Sequence, residues 1–336
     1  MKRVSSIDVA KLAGVSQSSV SRVFSPNANV SDDKRERILE AARQLGYKPN
    51  VLARSLITQS TNLIGIVVAD VASLFYANFL SRFSSQLREI GKQVILFNVG
   101  LEQTADDVLP TLLEYRVDAL IIAATTLSAD MAAECALNGT PVILFNRAEE
   151  LAQVSSICID NEDGGRQIAE LLLANNHKHF AYIAGISSTQ TNRLREKGYF
   201  ERLQAAGITK DSILREQGDY SYKSGFDAAT RLLKADNKPD AIFCAADTMA
   251  FGAIDAARAL GLDVPLDVSI VGFDNVPQAG WNGYQLTTMG QPLEDLLAST
   301  LNVLTQRLDE ATASQSKIEL FKGELQIRQS VRLAHS

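Results

Sequence analysis

The chain has 336 residues, 46% of them apolar and 21% charged, enough to bury the cores of about two to three domains. No run approaches ~18 consecutive apolar residues, which argues against a membrane-spanning helix. The basic start MKRVSSIDVAKLAG has neither an apolar core nor a cleavage site, so no secretory leader is expected. Three scattered cysteines (Cys135, Cys158, Cys244) without metal spacing read as buried small hydrophobes of a cytoplasmic protein.

The net charge of −6 hides an asymmetry: residues 1–60 carry ten Lys or Arg against five Asp or Glu, leaving −11 on the remainder. A basic head on an acidic body is what a chain shows when only its head meets a polyanion. In chain order, that head reads as three short helices. Ser5 or Ser6 caps the first, whose apolar face is Ile7, Ala10, Leu12 and Ala13, and Gly14 breaks it. Ser16 caps the second, with Val20, Val23 and Phe24 inward and Gln17, Ser18, Ser21 and Arg22 outward. Ser31 opens the third, whose apolar positions Ile38, Leu39, Ala42 and Leu45 end before Gly46. Two short helices joined at a glycine and buttressed by a third make an all-α helix-turn-helix head. Its second helix enters the major groove, where Gln suits adenine, Arg suits guanine, and the small serines Ser5, Ser16, Ser18 and Ser21 allow close approach and bond phosphates.

After a polar linker, apolar runs alternate with helical segments: LIGIVV, NFLSRFSSQLREI, QVILFN, VLPTLLEY, ALIIAA, MAAECALNG and PVILFN. The alternation then restarts with GRQIAELLLA, HFAYIA, LREKGYFERLQAAG, GFDAATRLLKA, AIFCAA, MAFGAIDAARALG and SIVGF. Such alternation predicts parallel sheets covered on both faces, in two Rossmann-like subdomains with a cleft at the carboxyl ends of their strands. The residues at those ends are polar: Asp70, Asn98, Thr125, Thr126, Asn146, Arg147, Asp247 and Asp274. As a set they make a hydrogen-bonding pocket.

Residues 1–60 resemble the DNA-binding head of the LacI/GalR family of bacterial transcriptional regulators, through IDVAKLAGVSQSSVSRVFS, VSDDKRERILEAARQLGYKPN and LARSL. The resemblance implies that Gln17 and Ser18 read bases with Arg22 close behind. It also implies that residues from Asn50 to Thr58 form a hinge helix, with Leu56 wedged into the minor groove beside Ala53. The body resembles the same family, and through it periplasmic sugar-binding proteins, in YIAG, RLREKGY, GDYSYKSGFDAATRLL, DTMAFGAIDAARALGL, VPLDVSIVGFDNVP and LTTMGQP. That implies an α/β periplasmic-binding-protein-like core in which Arg195 and Asp274 clamp an effector, Phe75 and Tyr76 face it from the other subdomain, Tyr220 covers it and Gln291 crosses over. Two departures stand out: Ala246 occupies a position where many sugar-binding members have an amide, and Tyr76 brings a phenol into the cleft. Trp281, the only tryptophan, is expected to line the pocket.

The expected organisation is a head at 1–47 and a hinge with linker at 48–60. Residues 61–160 with 290–322 then form one core subdomain, and 161–289 with 323–336 the other. No heptad tail follows, so a homodimer on palindromic double-stranded operator DNA is expected. There is no phosphate-binding loop, no dinucleotide fingerprint and no nucleophile elbow, so neither an enzyme nor a cofactor is expected. His177 and His179 lack the three or four convergent ligands a metal needs. The expected protein is a repressor released by a small carbohydrate-like effector. Arg195, Arg147 and Ala246 tilt the effector toward a sugar acid or sugar phosphate; a corepressor-driven regulator sensing a neutral sugar or nucleobase is the alternative. A free-standing solute-binding protein would account for the body but not for the basic head.

Overall fold

The computed structural model describes residues 4–24, 30–48, 60–100, 104–123, 126–309 and 316–334. The head holds three helices, α1 (Ser6–Ala13), α2 (Gln17–Val23) and α3 (Asp32–Leu45). Ser5 caps α1 in a reciprocal capping box with Asp8, and Gly14, at φ 66°, ends it with a left-handed turn that a side chain would strain. Val9, Val20 and Ile38 are fully buried at the centre of a small core with Ala10, Ala13, Val23, Ala41 and Ala42. The inward stripe of α1 is therefore Val9, Ala10 and Ala13. Ile7 and Leu12, expected inside, are exposed, as is Leu39 of α3. Three helices this short enclose one narrow seam, and residues flanking it stay in solvent.

The first core unit runs β1 (Leu63–Val68), α4 (Leu74–Glu89), β2 (Gln93–Asn98), α5 (Leu109–Glu114), β3 (Ala119–Ala123), α6 (Ala129–Leu137), β4 (Val142–Phe145) and β5 (Val154–Ile159). The second runs α7 (Asn161–Ala174), β6 (Phe180–Ala184), α8 (Gln190–Ala205), β7 (Leu214–Gln217), α9 (Tyr222–Lys234), β8 (Ala241–Cys244), α10 (Asp247–Ala259), β9 (Ser269–Asp274) and β10 (Thr287–Gly290). The chain then returns through α11 (Leu293–Asp309) and β11 (Ile318–Phe321) to the first sheet, and ends in β12 (Glu324–Gln326) on the second.

The sheets have orders β11-β5-β4-β3-β1-β2 and β12-β10-β9-β8-β6-β7. Among the described residues every pairing is parallel except β10 with β12. Interior strands such as ALIIA of β3 and FAYIA of β6 are buried along their whole length, while the flanking β2, β7 and β11 alternate. Continuous apolar runs belong to parallel strands covered on both faces, which is why the alternation in the sequence was readable. β5 escapes it: VSSICI is fully buried, yet two serines interrupt its apolar run. The Ser156 hydroxyl donates to the Glu149 carbonyl, and Ser155 accepts from Arg307, so their burial is satisfied. Both sheets turn back between their first and third strands, β1 and β3 in one, β6 and β8 in the other. Doubly wound sheets bind ligands at the carboxyl ends beside such switch points.

Helices α7 and α8 cross closely over the second sheet. A Cβ added at Gly198 would overlap the Glu162 carbonyl oxygen, and one at Gly165 the Arg195 carbonyl oxygen. These two glycines set the height at which α8 carries Arg195 over the sheet.

Candidate functional site

In the head, Ser16 caps α2 by accepting the Ser19 amide at 3.3 Å, and its hydroxyl lies 2.9 Å from the hydroxyls of Ser18 and of Ser19. The row of small polar residues is thus a hydroxyl cluster at a helix N-terminus, a natural phosphate seat. Gln17, Ser18 and Arg22 are exposed and Ser21 is half-buried. Gln17 does not swing free: its amide nitrogen donates to the Ser6 hydroxyl at 3.1 Å, which ties the start of α2 to the start of α1. Ser5, counted among the DNA contacts, spends its hydroxyl on Asp8. The expected hinge residues Asn50, Ala53 and Leu56 lie outside the described residues, as does Thr125 of the cleft.

The cleft opens where the carboxyl ends of both sheets meet. Its empty space, open mouth included, is about 900 Å³. Arg195 sits at its base, 3% exposed. Its Nε donates to Asn161 Oδ1 at 2.8 Å and its Nη1 to the Ala245 carbonyl at 2.6 Å. Its Nη2 lies 3.5 Å from Asp274 Oδ1, and its plane stacks 3.6 Å from the centre of the Phe273 ring. A buried guanidinium is tolerable only with such complete pairing.

Asp274 ends β9 at φ 121°, a backbone conformation that L-residues rarely adopt. Asn146 at φ 57° and Tyr220 at φ 71° are also left-handed, so three residues of the cleft wall hold strained backbone, as functional sites do. Burial pushes Asp274 up to about 6, against the pull of Arg195 and of the Gln291 bond. With the folded value above the unfolded one, the folded state takes up this proton first. The stability it contributes is complete below about pH 4 and lost as pH rises through about 6. Between about pH 7.5 and 5 the wild-type melting temperature should therefore gain roughly a few degrees over that of Asp274→Asn. Equal changes in the two would show that another group takes the proton.

Facing this centre, the Asn146 amide nitrogen donates to the Tyr76 hydroxyl at 3.2 Å, leaving the phenolic proton for a further acceptor. Asn146 is 5% exposed and its Oδ1 has no partner among the described residues. Burial raises Tyr76, so it stays a neutral donor. Phe75 packs edge-on against Tyr76 and stacks on Phe145, which fixes the aromatic wall. The Tyr220 hydroxyl lies 2.9 Å from that of Thr189 and 3.3 Å from that of Thr191. Arg147 lines the cleft but pairs with Glu149.

Three expected contacts lie elsewhere. Asp247 is fully buried beneath the wall, where it accepts the Thr288 hydroxyl at 2.5 Å and the Val276 amide at 2.9 Å. It ties α10 to β9 and β10, while its neighbours Ala246 and Thr248 reach the cleft. Trp281 follows a short turn, is 58% exposed and is not on the wall. Gln291 stands behind Asp274, donating to its Oδ1 at 2.7 Å, and acts through it. His177 is buried between the Leu172 carbonyl and the Ser269 hydroxyl, both structural partners. The sequence reading missed Ser73, Asp219, Thr189, Gln190, Thr191 and Thr248, all on the wall. The polar run after YIAG and the acid of GDYS were the available signals, since both follow strands of the second sheet.

Gln190 bridges the mouth of the cleft. Its Nε2 donates to the Ala148 carbonyl at 2.6 Å and its Oε1 accepts the Ala148 amide at 3.1 Å, joining the start of α8 to the loop after β4. Gln190→Ala leaves that peptide unpaired, about 1–2 kcal/mol. Hydrogen exchange at the Ala148 amide should accelerate roughly tenfold; unchanged protection would show that the amide bridge does not hold the mouth.

A helix-turn-helix head joined to two doubly wound sheets around a polar cleft defines a ligand-responsive, DNA-binding transcriptional regulator. Residues 7–50 match the model for bacterial regulatory proteins of the lacI family, and residues 61–322 that for periplasmic binding proteins and the sugar binding domain of the LacI family. The chain is similar to catabolite control protein A of Priestia megaterium, 34% identical over 97% of this chain and 98% of the relative. It is also similar to the transcriptional repressor PurR of Actinobacillus pleuropneumoniae, 31% identical over 97% of each. Its structure resembles that of the lac repressor dimer bound to operator and the anti-inducer ONPF, with TM-score 0.87 and 29% identity over 99% of this chain and 100% of the other. The chain belongs to the LacI family of bacterial regulators.

Proposed function

We propose that the protein represses transcription as a homodimer on a palindromic operator and that a small molecule held in the cleft alters its DNA affinity. The observation that carries this is the pairing, in one chain, of an exposed Gln17, Ser18 and Arg22 on a capped recognition helix with a strained, polar cleft centred on Arg195 and Asp274. Residues 1–47 act as the reading head and 48–60 as hinge, with Asn50, Ala53 and Leu56 at the minor groove. Residues 61–160 with 290–322 and residues 161–289 with 323–336 act as the two halves of the sensor. Effector contacts fall to Phe75, Tyr76, Asn146, Arg147, Arg195, Tyr220 and Asp274, joined by Thr189, Thr191 and Thr248. A ligand that prefers one relative setting of the halves shifts its population and changes operator affinity by its differential binding, about 1–3 kcal/mol per site.

The ion pairs of the cleft count against a sugar acid as effector. Each arginine on the wall already faces a carboxylate, Arg147 that of Glu149 and Arg195 that of Asp274, so an incoming anion would compete with an internal counter-charge, although Arg147 Nε is buried without a hydrogen-bond partner among the described residues. Binding to duplexes selected from a random library should fall about 10³-fold or more between 50 and 200 mM salt, as several phosphate contacts release counterions. A salt-independent complex would remove the head from its assigned role.

A further inference from the structure

The charged residues of the cleft wall do not balance. Arg147 is matched by Glu149 outside the wall and Arg195 by Asp274 within it. Asp70 and Asp219 also line the cleft, and among the described residues no cation pairs with either. Asp70 Oδ1 accepts the Ala72 amide at 2.8 Å, and Asp219 Oδ1 the Ser221 amide at 2.9 Å, so each carboxylate is oriented by its own turn. Burial pushes Asp219 up, but its bonds from Ser221 and Ser224 outweigh that and hold it below the usual range, ionised at neutral pH.

A turn and two acids would not make a site. Asn146 supplies the independent observation: it is 95% buried, its amide nitrogen is committed to Tyr76, and its Oδ1 meets no donor among the described residues. A buried amide oxygen without a partner is destabilising until a donor arrives. The cleft thus presents acceptors, an excess of negative charge, and the rings of Tyr76 and Tyr220. Rings of this kind attract cations and stack on the apolar faces of sugars.

We propose that the effector is an amino sugar, whose ammonium group is held by Asp70 and Asp219 and whose remaining donors include one to Asn146 Oδ1. The proposal rests on the cleft being the effector site. An anion would meet two carboxylates, and the one donor it could take from a wall cation among the described residues, the unpartnered Arg147 Nε, belongs to a guanidinium whose charge Glu149 already matches. A neutral sugar would leave the two carboxylates without a counter-charge. An ammonium donates three hydrogen bonds and supplies the missing charge.

The test uses the full-length dimer and measures calorimetric binding of D-glucosamine, D-galactosamine and D-mannosamine beside their parent hexoses, N-acetyl derivatives and uronic acids. One amine should bind at least tenfold tighter than its parent hexose and its N-acetyl derivative, with its uronic acid weakest. Asp70→Asn and Asp219→Asn should each erase that advantage. A hexose, N-acetyl sugar or uronic acid that binds as tightly as the amine overturns the proposal, as does an amine preference that survives both substitutions. Absence of binding by all three amines overturns it as well. Operator affinity measured with each binder separates the two readings. An amine that binds without changing operator affinity upholds the ammonium site and removes the effector role. A hexose or uronic acid that binds best and changes operator affinity does the reverse.

Discussion

Gly198→Ala is expected to destabilise the core by about 3 kcal/mol, although alanine is the better helix former by about 1 kcal/mol. The added methyl overlaps the Glu162 carbonyl, and the atoms around it are backbone of α7, which cannot rotate aside as a side chain would. Relief requires α7 and α8 to separate. That displaces Arg195, three residues back on α8, from Asn161 and from the Ala245 carbonyl. The variant should therefore lose both thermal stability and effector binding while its isolated head reads DNA as before. Urea unfolding with a midpoint equal to that of the wild type would refute the close crossing. Gly165→Ala is the companion variant, since its methyl would strike the Arg195 carbonyl itself.

Arg195→Met is expected to separate sensing from DNA reading most sharply. Methionine keeps apolar contact with the Phe273 ring but leaves Asn161 Oδ1, the Ala245 carbonyl and Asp274 without their partner. Breaking one side of a buried charge pair typically costs about 3–5 kcal/mol. Part of it returns here, because Asp274 is already raised by burial and escapes by taking a proton. Effector affinity should fall by about 100-fold or more, since the variant loses both the guanidinium and the orientation it imposes on Asp274. Operator binding without effector should stay within a few-fold at fixed salt, because no residue of the head is changed. An Arg195→Met protein that still releases operator at the wild-type effector concentration would place the effector elsewhere.

Much of this protein was written in the order of its residues. The serines of α2 announced a capped helix N-terminus, Gly14 a break and Gly46 an end. The continuous apolar runs announced buried parallel strands, because burial on both faces leaves no room for alternation. Polar residues after those runs announced a cleft, since doubly wound sheets converge at their carboxyl ends. Asp274, Arg195, Tyr76 and Asn146 were legible on that ground and through resemblance.

Other features depended on three dimensions. The burial of VSSICI depended on Glu149 and Arg307, partners that no local pattern reveals. Asp247 looked like a cleft residue because it follows a strand, yet the first turn of α10 directs it beneath the wall toward Thr288. Trp281 looked like a ligand platform and lies at the surface. The charge of the cleft depended on folding most of all. Two arginines in the sequence suggested an anion, but Glu149 and Asp274 neutralise them once the chain is folded. A sequence states which charges are present; which of them remain unpaired is set by distances between residues far apart in the chain, and electrostatic energy depends on those distances.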